Sequence, residues 1–208
     1  MTARRIVAIS AGLSQPSSTR LLADRLAEST RAELAGQGIT AEVQVIELRD
    51  LAHDIVNAML TGGVASTALT EAIDAVTGAD GLIAVTPLFT TTYSGLFKSF
   101  IDILDKDAIT GLPVLLGATG GTARHSLALE YSIRPLFTYL RADVSTTSVF
   151  AATDDWAAGS TADEPSPLPS RIERAGIEFA RTIAGREART PAADPFAATP
   201  SFLDLLGN

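Results

Sequence analysis

The sequence predicts an α/β domain built on one parallel sheet with helices on both faces, and three observations carry that prediction. Short β-branched runs alternate strictly with segments of helical periodicity, the pattern that a parallel sheet with crossover helices produces. The runs are continuously apolar rather than alternating, as strands covered on both faces require. Loops rich in glycine, serine and threonine follow the first, third and fourth runs, and in open parallel sheets the loops at the carboxyl ends of the strands form the ligand crevice.

Each element follows from local pattern. Residues 5–10, from Arg5 through Ile6, Val7, Ala8 and Ile9 to Ser10, read as the first strand. Apolar groups at Leu21, Leu22, Leu26 and Leu34 with alanines between them predict a helix over 18–36, ended by Gly36 and Gly38. A second strand is predicted over 42–48, a second helix over 67–77 capped at Thr67, and a third strand over 81–86. Residues 93–106 read as a third helix with Leu96, Phe97, Phe100, Ile101 and Leu104 on one face. A fourth strand over 113–117, a long fourth helix over 123–141, a fifth strand over 144–150 and a last helix over 170–185 complete the series. Pro135 lies inside the apolar pattern of the fourth helix, where it removes a backbone donor and crowds the carbonyl of Tyr131, so a kink or π-type bulge is expected there. Five strands with ligand loops after the first, third and fourth match the flavodoxin-like order 2-1-3-4-5 in a three-layer sandwich. A domain over 1–190 and a tail over 191–208 are the expected divisions.

Composition narrows the functions. A chain of 208 residues, 46% hydrophobic, supports one substantial core. Its net charge is -8, and the 14 arginines and two lysines form no basic run, which argues against a nucleic-acid partner. With no cysteine, thiolate chemistry, disulfides and Cys-ligated metals are excluded; the two histidines, His53 and His125, have no partner at metal-ligand spacing. The apolar run behind Met1 is too short for a signal peptide or a membrane span, so a cytoplasmic protein is expected. No G-x-G-x-x-G follows the first strand and no G-x-x-x-x-G-K-[ST] occurs, so neither a dinucleotide-binding fingerprint nor a P-loop is present.

The three loops describe one site. In the first, Gly12 permits a tight turn while Ser14, Ser17, Ser18 and Thr19 bring hydroxyls to the start of a helix, whose free N–H groups and dipole favour an anion such as phosphate; Arg20 adds a possible charge-assisted contact. An ordinary Ser/Thr cap explains the same serines. In the second, Pro87, Leu88, Phe89 and Thr90 would offer backbone amides and an apolar surface to a flat ring such as a flavin, although Phe89 taken alone reads as a core residue. In the third, Thr119, Gly120, Gly121 and Thr122 let main chain approach the ring closely, with Thr122 equally suited to capping a helix.

Taken together, these stretches resemble the NADPH-dependent FMN reductase family, including the reductase components of two-component flavin monooxygenases. The resemblance is carried by residues 8–22, by 79–104 with TPLFTTTYSGLFK at 86–98, and by 116–142 with ATGGTARHSL at 118–127. It implies FMN phosphate at Ser14, Ser17, Ser18 and Thr19, ring contacts from Pro87, Leu88, Phe89 and Thr90, and Thr119, Gly120, Gly121 and Thr122 along the far edge. It further implies hydride transfer from NADPH or NADH to flavin N5, which needs no protein acid or base, and therefore no catalytic side chain. A partner flavin-dependent monooxygenase and a homodimer or homotetramer are implied as well. Two other readings stay open on the residues: a flavodoxin-type FMN electron carrier, and a quinone or azo reductase on the same fold. The acidic, Pro-rich stretch 153–169, holding the only tryptophan, Trp156, reads as a mobile loop and a possible lid.

Overall fold

The computed structural model describes residues 3–157 and 167–189; the tail 191–208 and part of the acidic stretch, 158–166, lie outside them. Strands β1 (Arg4–Ser10), β2 (Ala41–Glu47), β3 (Gly81–Phe89) and β5 (Pro113–Gly120) run parallel in the order β2-β1-β3-β5. Ile6 stands between Val43 of β2 and Gly81 of β3, and Leu82 of β3 stands beside Val114 of β5. The last place in the sheet is filled by two short strands, β6 (Asp143–Val144) and β7 (Val149–Ala152), both paired with β5. The order is therefore the expected flavodoxin-like 2-1-3-4-5, with its fifth strand broken.

The break has a local cause. Between β6 and β7 lies the polar run Ser145, Thr146, Thr147, Ser148; the Ser145 N–H still reaches the Val114 carbonyl of β5 (2.8 Å), but groups beyond it bond away from the sheet. Thr147 donates its backbone N–H (3.1 Å) and its hydroxyl to the Glu178 carboxylate, the Ser148 hydroxyl reaches Glu130 (3.2 Å), and the Ser145 carbonyl accepts from Arg134 (2.8 Å).

Side-chain alternation along the strands divides the core. Ile6, Ala8, Ile83, Val85 and Leu115 pack toward α1 (Ser18–Gly36) and the C-terminal helix α7 (Leu168–Ala184). Val7, Ile9, Leu82, Ala84, Val114 and Leu116 pack on the other face, with α2 (Ala52–Leu60), α3 (Thr67–Thr77), α4 (Gly95–Asp102) and α5 (Arg134–Tyr139). α1 and α7 approach so closely that a Cβ at Gly176 would lie 2.2 Å from the Ser29 hydroxyl.

Several elements differ from the pattern-based expectation. The sequence pattern does not predict α2, a helix of nine residues that follows a 3-10 turn at Leu48–Leu51 and buries Ile55 and Ala58 while Val56, Met59 and Leu60 are exposed. The cap of α3 is Ser66, whose hydroxyl accepts from the Leu69 N–H (3.2 Å), rather than Thr67. Tyr93 is not helical: β4 (Thr92–Tyr93) pairs antiparallel with the end of β3, and α4 begins only after the cap Ser94. The long fourth helix is three pieces, a 3-10 turn at Ala123–His125, a π turn at Leu129–Ile133 and then α5. The π turn lies where Pro135 withholds its donor, so the expected bulge is present. Residues 153–157 form a short helix, α6 (Thr153–Ala157), in place of the expected loop.

At the amino ends of the strands the fold is clamped by one carboxylate. Asp80 is buried and accepts from the backbone N–H of Arg5 (2.7 Å) and of Arg189 (2.6 Å), while its own N–H donates to the Arg5 carbonyl (2.7 Å). Arg4 adds an ion pair at 3.8 Å, and the Arg5 guanidinium donates to the Arg189 carbonyl (2.9 Å). One residue thus joins the starts of β1 and β3 to the segment leaving α7. Asp80→Asn replaces one acceptor by a donor facing a backbone N–H; we expect a loss of about 2 kcal/mol and a thermal midpoint lower by about 5 °C, read by calorimetry.

Glu178 supplies a second test. Burial pushes its carboxyl up, but the hydrogen bonds from Thr147 and Thr146 and the nearby Arg174 outweigh it, so the group sits below its ordinary value of 4.5. A depressed folded-state value contributes stability above the unfolded value and loses it as pH falls through the folded one. The stability gap between the native chain and Glu178→Gln should be largest at neutral pH and shrink in acid below 4.5, as urea midpoints across that range would show.

Candidate active site

The carboxyl ends of β1, β3 and β5 open into a cavity of about 350 Å³. Its walls are the three loops singled out by the sequence. Larger hollows exist, such as one of about 530 Å³ along α7, but that one is walled by side chains of a single helix and no strand end reaches it.

The first loop is wound tightly. A Cβ on Gly12 would lie 2.0 Å from the Ser17 hydroxyl, so only glycine lets the chain fold back there. Ser17 is the cap of α1, its hydroxyl accepting from the Arg20 N–H (3.2 Å). Ser14, Ser17, Ser18 and Thr19 all line the cavity at this helix start. Arg20 does not: its guanidinium donates to Asp24 (2.8 Å) and Glu47 (2.9 Å), and the Asp24 hydrogen bond chiefly holds its pKa above the ordinary value against the opposing effect of burial. The hydroxyl end of the cavity therefore carries no cationic side chain in its lining.

The second loop is a hairpin arm rather than an open turn. β3 continues through Pro87, Leu88 and Phe89, and β4 returns along it with Leu88 opposite Tyr93 and Phe89 opposite Thr92. Thr90 (φ 49°) and Thr91 (φ 73°) make the tip in the left-handed region. The Thr86 hydroxyl fixes the base of the arm, donating to the Pro87 carbonyl (2.9 Å) and accepting from the Ser94 N–H (3.1 Å). Phe89 is 47% exposed, in contrast to its reading as core, because the arm carries it out of the sheet to the cavity wall. Pro87 and Leu88 line the cavity too, whereas Thr90 stands outside it at the tip.

From the third loop, Thr119, Gly120 and Gly121 reach the cavity, and Thr122 instead caps the 3-10 turn, accepting from the Arg124 N–H (3.4 Å). The two glycines serve different ends. A Cβ on Gly120 would lie 2.9 Å from the Phe150 ring, whereas one on Gly121 would meet no protein atom within 4 Å. Thr119 also binds the first loop: its hydroxyl lies 2.8 Å from that of Thr19, both residues being buried, so the start of α1 is tied to the end of β5.

Three contributors were not legible in the loop motifs. Thr153 and Trp156 of α6 close one wall of the cavity. Trp156 lies under the Arg25 guanidinium, 5.1 Å from ring centroid to Cζ, and α6 is held by Asp155, which accepts from the Ala152 N–H (2.8 Å) and pairs with Arg171 (2.9 Å). Arg49 props the first loop from outside, donating to the Ser14 carbonyl (3.1 Å) while paired with Glu47 (3.1 Å). Only the lone tryptophan hinted at a site role; Arg49 is 35 residues from Ser14 and carries no motif.

The cavity thus has a hydroxyl-rich end over a helix start and a flat, mostly apolar end between Pro87, Leu88, Phe89 and Gly121. That division suits a ligand with an anionic tail and a planar ring. Among the described residues no cluster of His, Asp and Glu is placed to hold a metal ion, and no helix is long and apolar enough to cross a membrane.

Comparison with known proteins agrees with this geometry. Residues 4–157 match the family described as NADPH-dependent FMN reductase. The chain is 36% identical to an FMN reductase (NADPH) of Pseudomonas aeruginosa over 182 residues, 88% of this chain and 94% of that one. It is likewise 36% identical to the NADH-dependent FMN reductase SfnF of Pseudomonas fluorescens, over 82% of this chain and 87% of that one. Among solved structures, an oxidoreductase from Corynebacterium diphtheriae superposes with a TM-score of 0.83 at 45% identity, covering 89% of this chain and 99% of that one. A cavity made by these three loops, on a chain matched over most of its length, places the protein in the NADPH-dependent FMN reductase family.

Proposed function

We propose that this NAD(P)H-dependent reductase takes FMN into the cavity described above with its phosphate over the start of α1, and releases the reduced flavin to a separate monooxygenase. The convergence of the three loops on one cavity carries the reading. The donor set fits FMN: hydroxyls of Ser14, Ser17, Ser18 and Thr19 with the free N–H groups of a 19-residue helix suit a phosphate, and the open space at Gly121 suits a ring edge. When bound there, FMN would supply the two-electron acceptor for a hydride delivered by a reduced nicotinamide.

The chain's own part is to bind and orient. Pro87 and Leu88 offer an apolar wall to one side of the ring, Gly120 and Gly121 admit its edge, and the hydroxyl bridge between Thr19 and Thr119 fixes the gap between phosphate loop and ring loop. Because the cradle carries no cationic side chain, its hold on phosphate rests on neutral donors, which favours a flavin that comes and goes as a substrate. Tyr139 of α5, 80% exposed, offers an apolar contact for a second copy, in keeping with a homodimer or homotetramer.

Purified protein mixed with FMN and NADPH or NADH should consume the nicotinamide in proportion to FMN, and under argon the flavin's visible band should bleach. Tight FMN binding with no oxidation of either nicotinamide would instead identify an electron carrier. The two glycines separate binding from folding. Gly121→Val should weaken FMN binding at least tenfold with little change in thermal midpoint, while Gly120→Ala, by crowding Phe150, should cost about 1–3 kcal/mol of stability; flavin titration and calorimetry check both.

A further inference from the structure

Beside the flavin cavity, across the hairpin arm and the third loop, lies a second groove of about 270 Å³ that the flavin reading leaves unused. The two hollows have no lining residue in common, but the same two chain segments supply residues to both. Thr91 at the arm's tip lines the groove two residues from Phe89, and Arg124 lines it three residues after Gly121. His125, Tyr131 and Ser132 complete the polar part of the lining, and no carboxylate belongs to it.

Arg124 is exposed and forms no ion pair among the described residues, while the other arginines around the flavin site are committed: Arg20 to Asp24 and Glu47, Arg49 to Glu47, Arg134 to Glu130, and Arg25 to the Trp156 ring. An unpaired guanidinium beside an imidazole, in a groove without carboxylates on a chain of net charge -8, is a local site for an anion. The reaction brings one such anion to this place. A dinucleotide whose nicotinamide reaches the flavin ring must lay its adenosine end on the surface bordering the cavity, and NADPH differs from NADH only by a 2′-phosphate on that end. The relatives include reductases named for each of the two donors, so family membership leaves the choice open.

We propose that this groove receives the 2′-phosphate of NADPH, with Arg124 as the residue that selects NADPH over NADH and His125 as a second donor. This rests on the reductase reading, since it places the nicotinamide at the flavin. Arginine suits the task because its planar fork matches phosphate oxygens in pairs, and a charge-assisted contact of this kind changes affinity by about tenfold or more.

The test pairs turnover with binding. In steady-state kinetics the native chain should prefer NADPH, and Arg124→Gln should lower the NADPH-to-NADH ratio of kcat/KM by about tenfold, with Arg124→Lys recovering part of it. By calorimetry, adenosine 2′,5′-bisphosphate should bind the native chain more tightly than adenosine 5′-monophosphate, a difference that Arg124→Gln abolishes and added salt reduces. An unchanged ratio, an equal loss with both nicotinamides, or equal binding of the two nucleotides would overturn the assignment. Absence of flavin-dependent oxidation of either nicotinamide by the native chain would sink the reductase reading instead, and the nucleotide titration would still judge the groove.

Discussion

Everything at the active site depends on the parallel register of β1, β3 and β5. Because the three strands point the same way and pair side by side, with Ser10 beside Val85 and Pro87 beside Thr119, their carboxyl ends finish at one level. Loops far apart in sequence then have to meet. The buried hydroxyl bridge between Thr19 and Thr119 is the local expression of that register, linking residues 100 positions apart at the point where the first loop faces the third. Slipping a strand by one residue would turn its whole apolar set to the opposite layer, so the two-sided core is what holds the loops in place.

The sheet and its major helices were legible because continuous apolar strands and α1's leucine and alanine stripe are strong, local signals. What the sequence concealed was non-local. The hairpin arm at Thr92–Tyr93 reads as the start of a helix, since Leu96, Phe97 and Phe100 supply a period that says nothing about where Ser94 caps it. The fifth strand reads as unbroken because the claim of Glu178 and Glu130 on Thr147 and Ser148 comes from distant helices. At the site, glycines and hydroxyls are visible in loops, and the residues they imply gather at the cavity. Arg20, Thr90 and Thr122 stand apart for reasons of direction alone: an ion pair on the outer face of α1, a hairpin tip and a cap. Trp156 reaches the wall only because Asp155 docks α6 against Arg171, a contact no motif encodes.

The distribution of charge explains how an acidic chain can serve anionic ligands. Most of its arginines are spent on structure. Arg4 pairs with Asp80 and the Arg5 guanidinium donates to the Arg189 carbonyl at the amino ends of the strands, and Arg186 reaches the Gly111 carbonyl and Asp143. Around the phosphate loop Arg20 and Arg49 meet at Glu47, one from each side, bracing the loop while leaving its inner surface neutral. On the proposed reading, dipole and hydroxyls would attract a phosphate without fixing it as a buried cation would, the balance that an exchangeable flavin requires.

The two ends of the sheet are therefore built to different rules. At the amino end a buried carboxylate with paired backbone donors ties three chain segments together, and moving any of them would strand a charge away from water. At the carboxyl end the ties are more various: a hydroxyl pair, an exposed guanidinium over an indole, a two-residue strand, and the ion pairs of Arg49 with Glu47 and Arg171 with Asp155. The hairpin arm carries exposed Phe89 to the cavity wall, at the opposite end of the strands from the Asp80 clamp. The buried clamp and the candidate site are thus separated along the length of the strands, at opposite ends of a single sheet.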